Sequence, residues 1–514
     1  MTPLMSGELV AGSRPGPTGI PPPGAAAQGP RRVRWRRARA GDRVSLVGRL
    51  RAWEFASRPV HPETRAALRR RWVELPLAAR TPAQLLGQHA VGCEGTHGVF
   101  PRCNLACTPC YHSRDANKVA VSGSHTQSEV TRQMALFRRI RGPRAHAQLI
   151  GGEVSMLPAA DHAATLQLMR EHGREPMSFT HGDFDYAYLR DVAVGPDGRR
   201  RQRRLSFAAH FDMLMYGRRG IERPPDEASL DSYRLAFVDM FTRLKREHGV
   251  RSFLAHNMTV TPRNLKQLAG VIRACKDAGF GMFSFQPAAF VGDERRWHEG
   301  YRDSTADAVW AQIETGVGRK LPYRALQFGD ERCNRTTFGF YVGDRYFPIL
   351  DDQIPADLAA RDAFLRYFGG VNVSGTPVPL LAVKFARAMF RHPSVVVHAG
   401  RWLVRTMRAV GVGRLLRNRV RPVTFTMHSF MDAADVAPAW QLMQDGRVSD
   451  DPRIAETQQR LAACSYAMAH PETGELVPAC VQHSVLDPAE NVALRVLLPL
   501  TPVRRPRAGV ATDA

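Results

Sequence analysis

The chain has 514 residues, 44% of them hydrophobic, which allows two or three domains and a sizeable core. Its 72 lysines and arginines against 48 acidic residues leave a net charge of +24, favouring anionic partners such as nucleic acid, phosphates or an anionic membrane surface. No apolar run of about eighteen residues escapes a charge, and no apolar signal segment follows the first basic residue, so the expected location is cytoplasmic. There, eight cysteines serve as metal ligands, reactive thiols or core residues, not as a disulfide framework.

Residues 1–42 read as a disordered Pro/Gly/Arg-rich arm, ending in the basic run RRVRWRRAR at 31–39. Residues 43–92 read as a small N-terminal element with helices at 62–71 and 81–88. From there short apolar runs alternate with helical patterns. Strands are expected at 96–100, 146–150, 177–180, 205–211, 252–259 and 282–285, with helices at 126–141, 159–173, 229–248 and 262–278 between them. Thr126 and Glu129 form a capping-box pattern at the start of the first helix, and Pro262 suits the first turn of the fourth. GPDGRRRQRR, 195–204, reads as a turn with a basic tip. Such alternation implies crossovers and a parallel sheet, and six units make a partial barrel.

After about residue 320 the alternation stops, and 321–514 is expected to form a C-terminal accessory domain. Between Asp362 and Asp432 there is no acidic residue, while eleven lysines and arginines occur. Arg401, Arg405 and Arg408 stand at helical spacing beside Trp402, Leu403, Met407 and Val410, the pattern of a basic amphipathic helix. A helix packed on its own domain and one lying on a membrane surface both fit it.

The chemistry concentrates in PRCNLACTPCYHS, 101–113, where Cys103, Cys107 and Cys110 fall within eight positions. Cys107-Thr108-Pro109-Cys110 has the form of a redox pair, but such a pair has no need of Cys103. A zinc site is open if Cys93, His97 or His112 supplies a fourth ligand. An iron–sulfur cluster is the third reading, with thiolates at three corners and one iron left open.

C-x-x-x-C-x-x-C after a first strand, followed by the aromatic Tyr111, resembles the radical S-adenosylmethionine superfamily. After the next helix, HAQLI runs into Gly151-Gly152-Glu153, similar to that superfamily's GGE motif. The resemblance covers roughly residues 93–290. It implies an α/β fold, a partial (βα)6 parallel barrel of radical SAM type at 93–320, with an N-terminal basic extension and the C-terminal domain. It also implies a [4Fe-4S] cluster on Cys103, Cys107 and Cys110, and S-adenosyl-L-methionine held by its methionine end at GGE. Strand ends should complete the cofactor pocket: Thr180 and His181, His210 and Asp212, Asn257, and Gln286. An electron donor such as flavodoxin or ferredoxin is expected as a partner.

Cys275 reads as an ordinary buried helix residue. Cys333, Cys464 and Cys480 are candidate ligands of an auxiliary iron–sulfur cluster, the last two flanking the hairpin turn Pro-Glu-Thr-Gly. HSFMD, 428–432, and GELVPAC resemble C-terminal regions of lipid-modifying members such as tetraether-lipid synthases. With the basic segment, this gives a hydrophobic or lipid-type substrate and peripheral contact with a membrane as the leading expectation. A peptide-modifying or RNA-modifying enzyme is the alternative, and a zinc-containing basic nucleic-acid-binding protein is the non-enzyme rival.

Overall fold

The computed structural model describes residues 50, 53–54, 56–112, 114–291, 300, 304–371 and 376–500. The basic run 31–39, and with it the arm, lies outside the described residues.

Six strands follow one another in chain order across one sheet: β1 (Cys93–Gly95), β3 (Ala145–Leu149), β4 (Arg174–Thr180), β5 (Arg204–His210), β7 (Arg251–Val260) and β8 (Met282–Pro287). Each neighbouring pair is parallel. Helices Gly123–Arg141, Ala159–Glu171, Tyr186–Ala193, Asp231–His248 and Leu268–Cys275 occupy the successive connections. This is the expected α/β partial barrel of parallel strands. A second, two-stranded sheet pairs β2 (Ala106–Cys107) with β6 (Met215–Tyr216).

Segments beyond residue 320 extend this sheet at both ends. β11 (Val420–His428) pairs parallel with β8, then antiparallel with β9 (Asn334–Val342), which pairs with β10 (Arg345–Pro348). At the other end β12 (Tyr466–His470) pairs parallel with β1 and antiparallel with β13 (Glu475–Pro478). Among the described residues, eleven strands thus share one sheet.

Alternation gives the sheet two unlike faces. Phe207, Leu254, Phe283, Phe285, Phe425 and Met427 belong to the main core together with Phe237 and Phe241 of the helix Asp231–His248. The other face carries a polar row in register: His210 opposite Asn257, Asn257 opposite Ser284, Ser284 opposite Thr426, and Thr426 opposite Thr336. Gln286, two residues beyond Ser284, shares that face.

Local departures from the sequence reading have physical causes. The first strand lies at Cys93–Gly95 and not at 96–100, because Gly98 takes φ 65° and ends the extended run. The helix expected at 126 begins at Gly123, since Ser122 caps it by accepting from the His125 N–H. Thr126 instead donates its hydroxyl to Val99 O at 2.6 Å, tying the helix to the loop after β1. Residues 81–88 are not helical. The buried Gln84 amide there bonds to both N–H and C=O of Gly329, and Gly87 sits at φ 77°.

Candidate functional site

The loop bearing Cys103, Cys107 and Cys110 leaves the end of β1 and is tied down at each part of its length. The Cys103 N–H donates to Asn117 Oδ1 at 2.9 Å, and Cys107 lies in β2 opposite Met215. Asn104 Oδ1 accepts from His181 Nε2 at 2.8 Å, joining the loop to the end of β4. All three cysteine residues are partly exposed. Burial pushes the Cys103 thiol up to about 12, and the nearby Glu153 and Cys110 add to that push. A thiolate there therefore calls for a compensating cation.

Gly151, Gly152 and Glu153 lie directly against this loop. The Gly152 N–H donates to Phe100 O at 2.8 Å and the Glu153 N–H to Arg102 O at 2.9 Å. Tyr111, just past Cys110, donates its hydroxyl to Gly151 O at 2.9 Å. A Cβ at Gly152 would come within 2.2 Å of Arg102 O and 2.4 Å of Pro101 O. The glycine is thus required by the chain's own backbone beside Cys103, whatever ligand approaches from the other side. The Glu153 carboxylate is buried and fully engaged, accepting from Ser155 N–H, the Thr180 hydroxyl and His181 N–H. It braces the GGE turn against the end of β4.

His210 and Asp212 form a pair, Nε2 to Oδ2 at 2.6 Å, and the Thr259 N–H donates to Asp212 Oδ2 at 3.1 Å. Asp212 also accepts from the Leu214 N–H, fixing the turn that leads to β6. Asn257 is buried in the polar row. Gln286 donates its amide to Ser284 Oγ at 2.7 Å, while its Oε1 is buried with no partner. An orphaned acceptor on the polar face, at a strand end, is what a ligand's donor would satisfy. Sequence reasoning missed Arg218, which is buried over the Phe211 ring and donates to His181 O at 2.7 Å. Burial lowers its pKa, against the pull of Asp183, Asp212 and the Cys107 thiol. Only its place in the loop after β6 could have signalled it.

The later cysteines also converge. Cys333 Sγ accepts from Arg460 Nε at 3.2 Å, and the Cys464 thiol donates to Tyr466 O at 3.0 Å. Burial raises Cys333 to about 11, with Cys464 adding to the rise, and raises Cys480 well above the ordinary thiol range with both others contributing. Cys93, raised by burial to about 11, also feels Cys464. Its backbone N–H donates to Ser465 O.

The basic helix differs from expectation in one residue. In Ser394–Val410, Arg401 and Arg408 are exposed, but Arg405 Nε lies 2.8 Å from Oδ1 of the buried Asp357. Arg405 sits on the flank next to Trp402 and Thr406, the side that packs inward, and so is drawn to that carboxylate. Val396, Val397, Leu403 and Val404 are exposed on the same helix, as are Phe390 and Leu416 on its neighbours. No helix among the described residues is long and apolar enough to cross a membrane.

No protein-family model and no curated protein matches the sequence. Among solved structures, Streptococcus suis SuiB bound to precursor peptide SuiA aligns at 12% identity and TM-score 0.27, covering 39% of each chain. Native anSMEcpe with bound AdoMet aligns at 14% identity and TM-score 0.28, covering 38% of this chain and 50% of that one. TYW1 with a lysine-pyruvate adduct bound aligns at 10% identity and TM-score 0.23, covering 36% and 61%. The chain spans less than two thirds of the length of each, and likeness at this level establishes neither family nor activity.

Proposed function

We propose that this protein is a radical S-adenosylmethionine enzyme, with a [4Fe-4S] cluster on Cys103, Cys107 and Cys110. One observation carries the reading: the three-cysteine loop is stitched to the GGE turn at the carboxyl ends of parallel strands, where open α/β sheets bind ligands. When bound, the cluster and S-adenosylmethionine supply a 5′-deoxyadenosyl radical that abstracts hydrogen from a substrate. The chain's own part is to hold and orient. Glu153, Thr180 and His181 fix the GGE turn beside the cysteine loop. Asn257 and the free Oε1 of Gln286 offer the polar row to the nucleoside and amino-acid parts of the cofactor. His210 and Asp212 fix the turn into β6, which pairs with the strand holding Cys107.

The support for a hydrophobic or lipid-type substrate is the surface of 378–417, where exposed valines, Leu403, Phe390 and Leu416 lie among arginines with no acidic residue nearby in sequence. The convergence of Cys333, Cys464 and Cys480 supports an auxiliary iron–sulfur cluster. Electron delivery falls to a flavodoxin or ferredoxin.

Anaerobic protein with a strong reductant should cleave S-adenosylmethionine to 5′-deoxyadenosine and methionine. Its absence from iron-loaded protein would sink the radical reading. The substrate reading is tested by co-sedimentation with phosphatidylglycerol-containing vesicles. Each arginine near an anionic surface contributes about 1 kcal/mol, so changing Arg401 and Arg408 to Gln should weaken binding about thirtyfold, by the tenfold per 1.4 kcal/mol conversion. No wild-type binding at low salt would remove the membrane argument and leave peptide substrates as the class to test.

A further inference from the structure

We infer that His97, His470 and Glu490 form a separate site for a divalent transition cation of the zinc type. The inference does not depend on the radical chemistry. Among the described residues these three are the one group of His, Cys, Asp or Glu side chains whose ligand atoms all lie within 4.8 Å of one another.

Topology brings them together. β1 and β12 run parallel with Gly95 opposite Met468, so two residues further on His97 and His470 stand side by side. Their rings stack with centroids 4.3 Å apart. Glu490 comes from the helix Asp487–Leu497, which lies close by. His97 is mostly buried and His470 buried, while Glu490 keeps 30% of its side chain exposed and leaves the group open on one side.

The hydrogen bonds decide what the ring nitrogens offer. His97 Nε2 is 3.0 Å from Ala469 O, an atom that can only accept, so this nitrogen carries its proton. His470 Nε2 is 2.6 Å from Gln482 Oε1. That amide cannot flip, because its Nε2 donates to Asp487 Oδ1 and Glu490 Oε2, each at 2.9 Å. Both imidazoles are therefore protonated on Nε2 when neutral and present Nδ1 lone pairs. Those lone pairs face the Glu490 carboxylate: His97 Nδ1 is 2.9 Å from Oε2, with the Gln482 amide nitrogen at a longer 3.4 Å, and His470 Nδ1 is 3.7 Å from Oε1.

Two lone pairs aimed at a carboxylate repel it unless a cation lies between. Carbonyl groups that fix the tautomer from behind are the arrangement seen around metal-bound histidines. Two imidazoles and one carboxylate suit zinc, with water in a fourth position, better than magnesium or calcium, which take all-oxygen sets. The bound ion would clamp the helix Asp487–Leu497 over the ends of β1 and β12. The rival occupant is a proton on His97 Nδ1, which would make the contact a plain ion pair.

Cobalt(II) chloride titrated into anaerobic, iron-loaded protein distinguishes them. The expected result is one equivalent bound with visible d–d bands and no thiolate-to-cobalt charge transfer, since no cysteine belongs to the set. Glu490→Gln and His470→Gln should each abolish those bands while iron content and thermal melting of the metal-free chain stay unchanged. Gln482→Ala, which removes the tautomer lock on His470 and the amide's contacts to Glu490 and His97 but none of the ligands, should weaken affinity by about tenfold to a hundredfold. If both ligand variants destabilise the chain, a zinc-dependent rise in the wild-type melting temperature takes their place. A wild-type spectrum with charge transfer only, no shift with zinc, or bands that survive both ligand variants would overturn the inference.

Discussion

The chain gathers cysteines twice, by opposite means. Cys103, Cys107 and Cys110 come from one loop that hydrogen bonds from four directions hold beside the GGE turn. Cys333, ahead of β9, and Cys464 and Cys480, at the two ends of the β12–β13 hairpin, act on one another, and Arg460 bonds Cys333. The first three cysteines are each partly exposed, as are Cys333 and Cys464, but Cys480 is buried and Arg460 already bonds Cys333. A local set can be built to admit a ligand, whereas a set assembled by tertiary contacts is also part of the core it holds together. Cys480 packs with Met431, Val436 and Leu461.

The largest expected effect breaks the first set. Changing Cys103, Cys107 and Cys110 together to Ala should remove that cluster's iron and sulfide and abolish cleavage of S-adenosylmethionine, leaving the fold intact because the loop's ties are made by backbone, Asn104 and β2. Iron analysis and circular dichroism check this. Full iron content in the triple variant would dissolve the contrast. Breaking the second set should behave otherwise. Cys464→Ala should remove only the iron beyond one cluster's share and should lower the melting temperature, since Cys464 bonds to Tyr466 O next to the β1–β12 pairing. Unchanged iron with a lowered melting temperature would make the second set structural.

Gly152→Val tests how tightly the first set is bound to its neighbour. The new Cβ meets Arg102 O and Pro101 O, far inside van der Waals contact, so the loop must move. Cluster content should fall along with cofactor binding, measured by iron analysis and equilibrium dialysis. Full cluster content would show that the loop yields without disturbing Cys103.

The first set was legible because its chemistry lies in eight consecutive positions and its GGE partner follows one crossover later. Five of the six core strands were legible from apolar runs and their spacing; the first was expected at 96–100 and lies at Cys93–Gly95. What sequence periodicity cannot say is which strand lies beside which. Nothing local in Val420–His428 announces that it pairs with both Met282–Pro287 and Asn334–Val342. The polar row shares that fate: Asn257 and Gln286 stood out as strand ends, while Ser284 and Thr426 acquire meaning only through register. His97, His470 and Glu490 lie up to 393 residues apart, and Arg405 looked like its neighbours until Asp357 was placed beneath it.

The smallest expected effect separates binding from stability at Gln286. Its amide donates to Ser284 while its Oε1 stays buried without a donor. In the free protein that oxygen is a cost, because a buried acceptor has lost water and gained nothing. Leucine has a similar volume and no polar atom. Gln286→Leu removes the orphan acceptor at the expense of one hydrogen bond to Ser284, and the melting temperature should hold or rise slightly. If Oε1 takes a donor from bound S-adenosylmethionine, that hydrogen bond contributes about 1 kcal/mol, and affinity should fall about fivefold. Cluster iron should not change, since Gln286 lies on β8, away from the loop and its ties. Calorimetry on the iron-loaded protein measures the affinity, and a thermal scan measures the stability. A chain that loses stability and keeps its affinity would place Gln286 in the packing of the sheet and outside the cofactor pocket, and the polar row would then serve the fold alone.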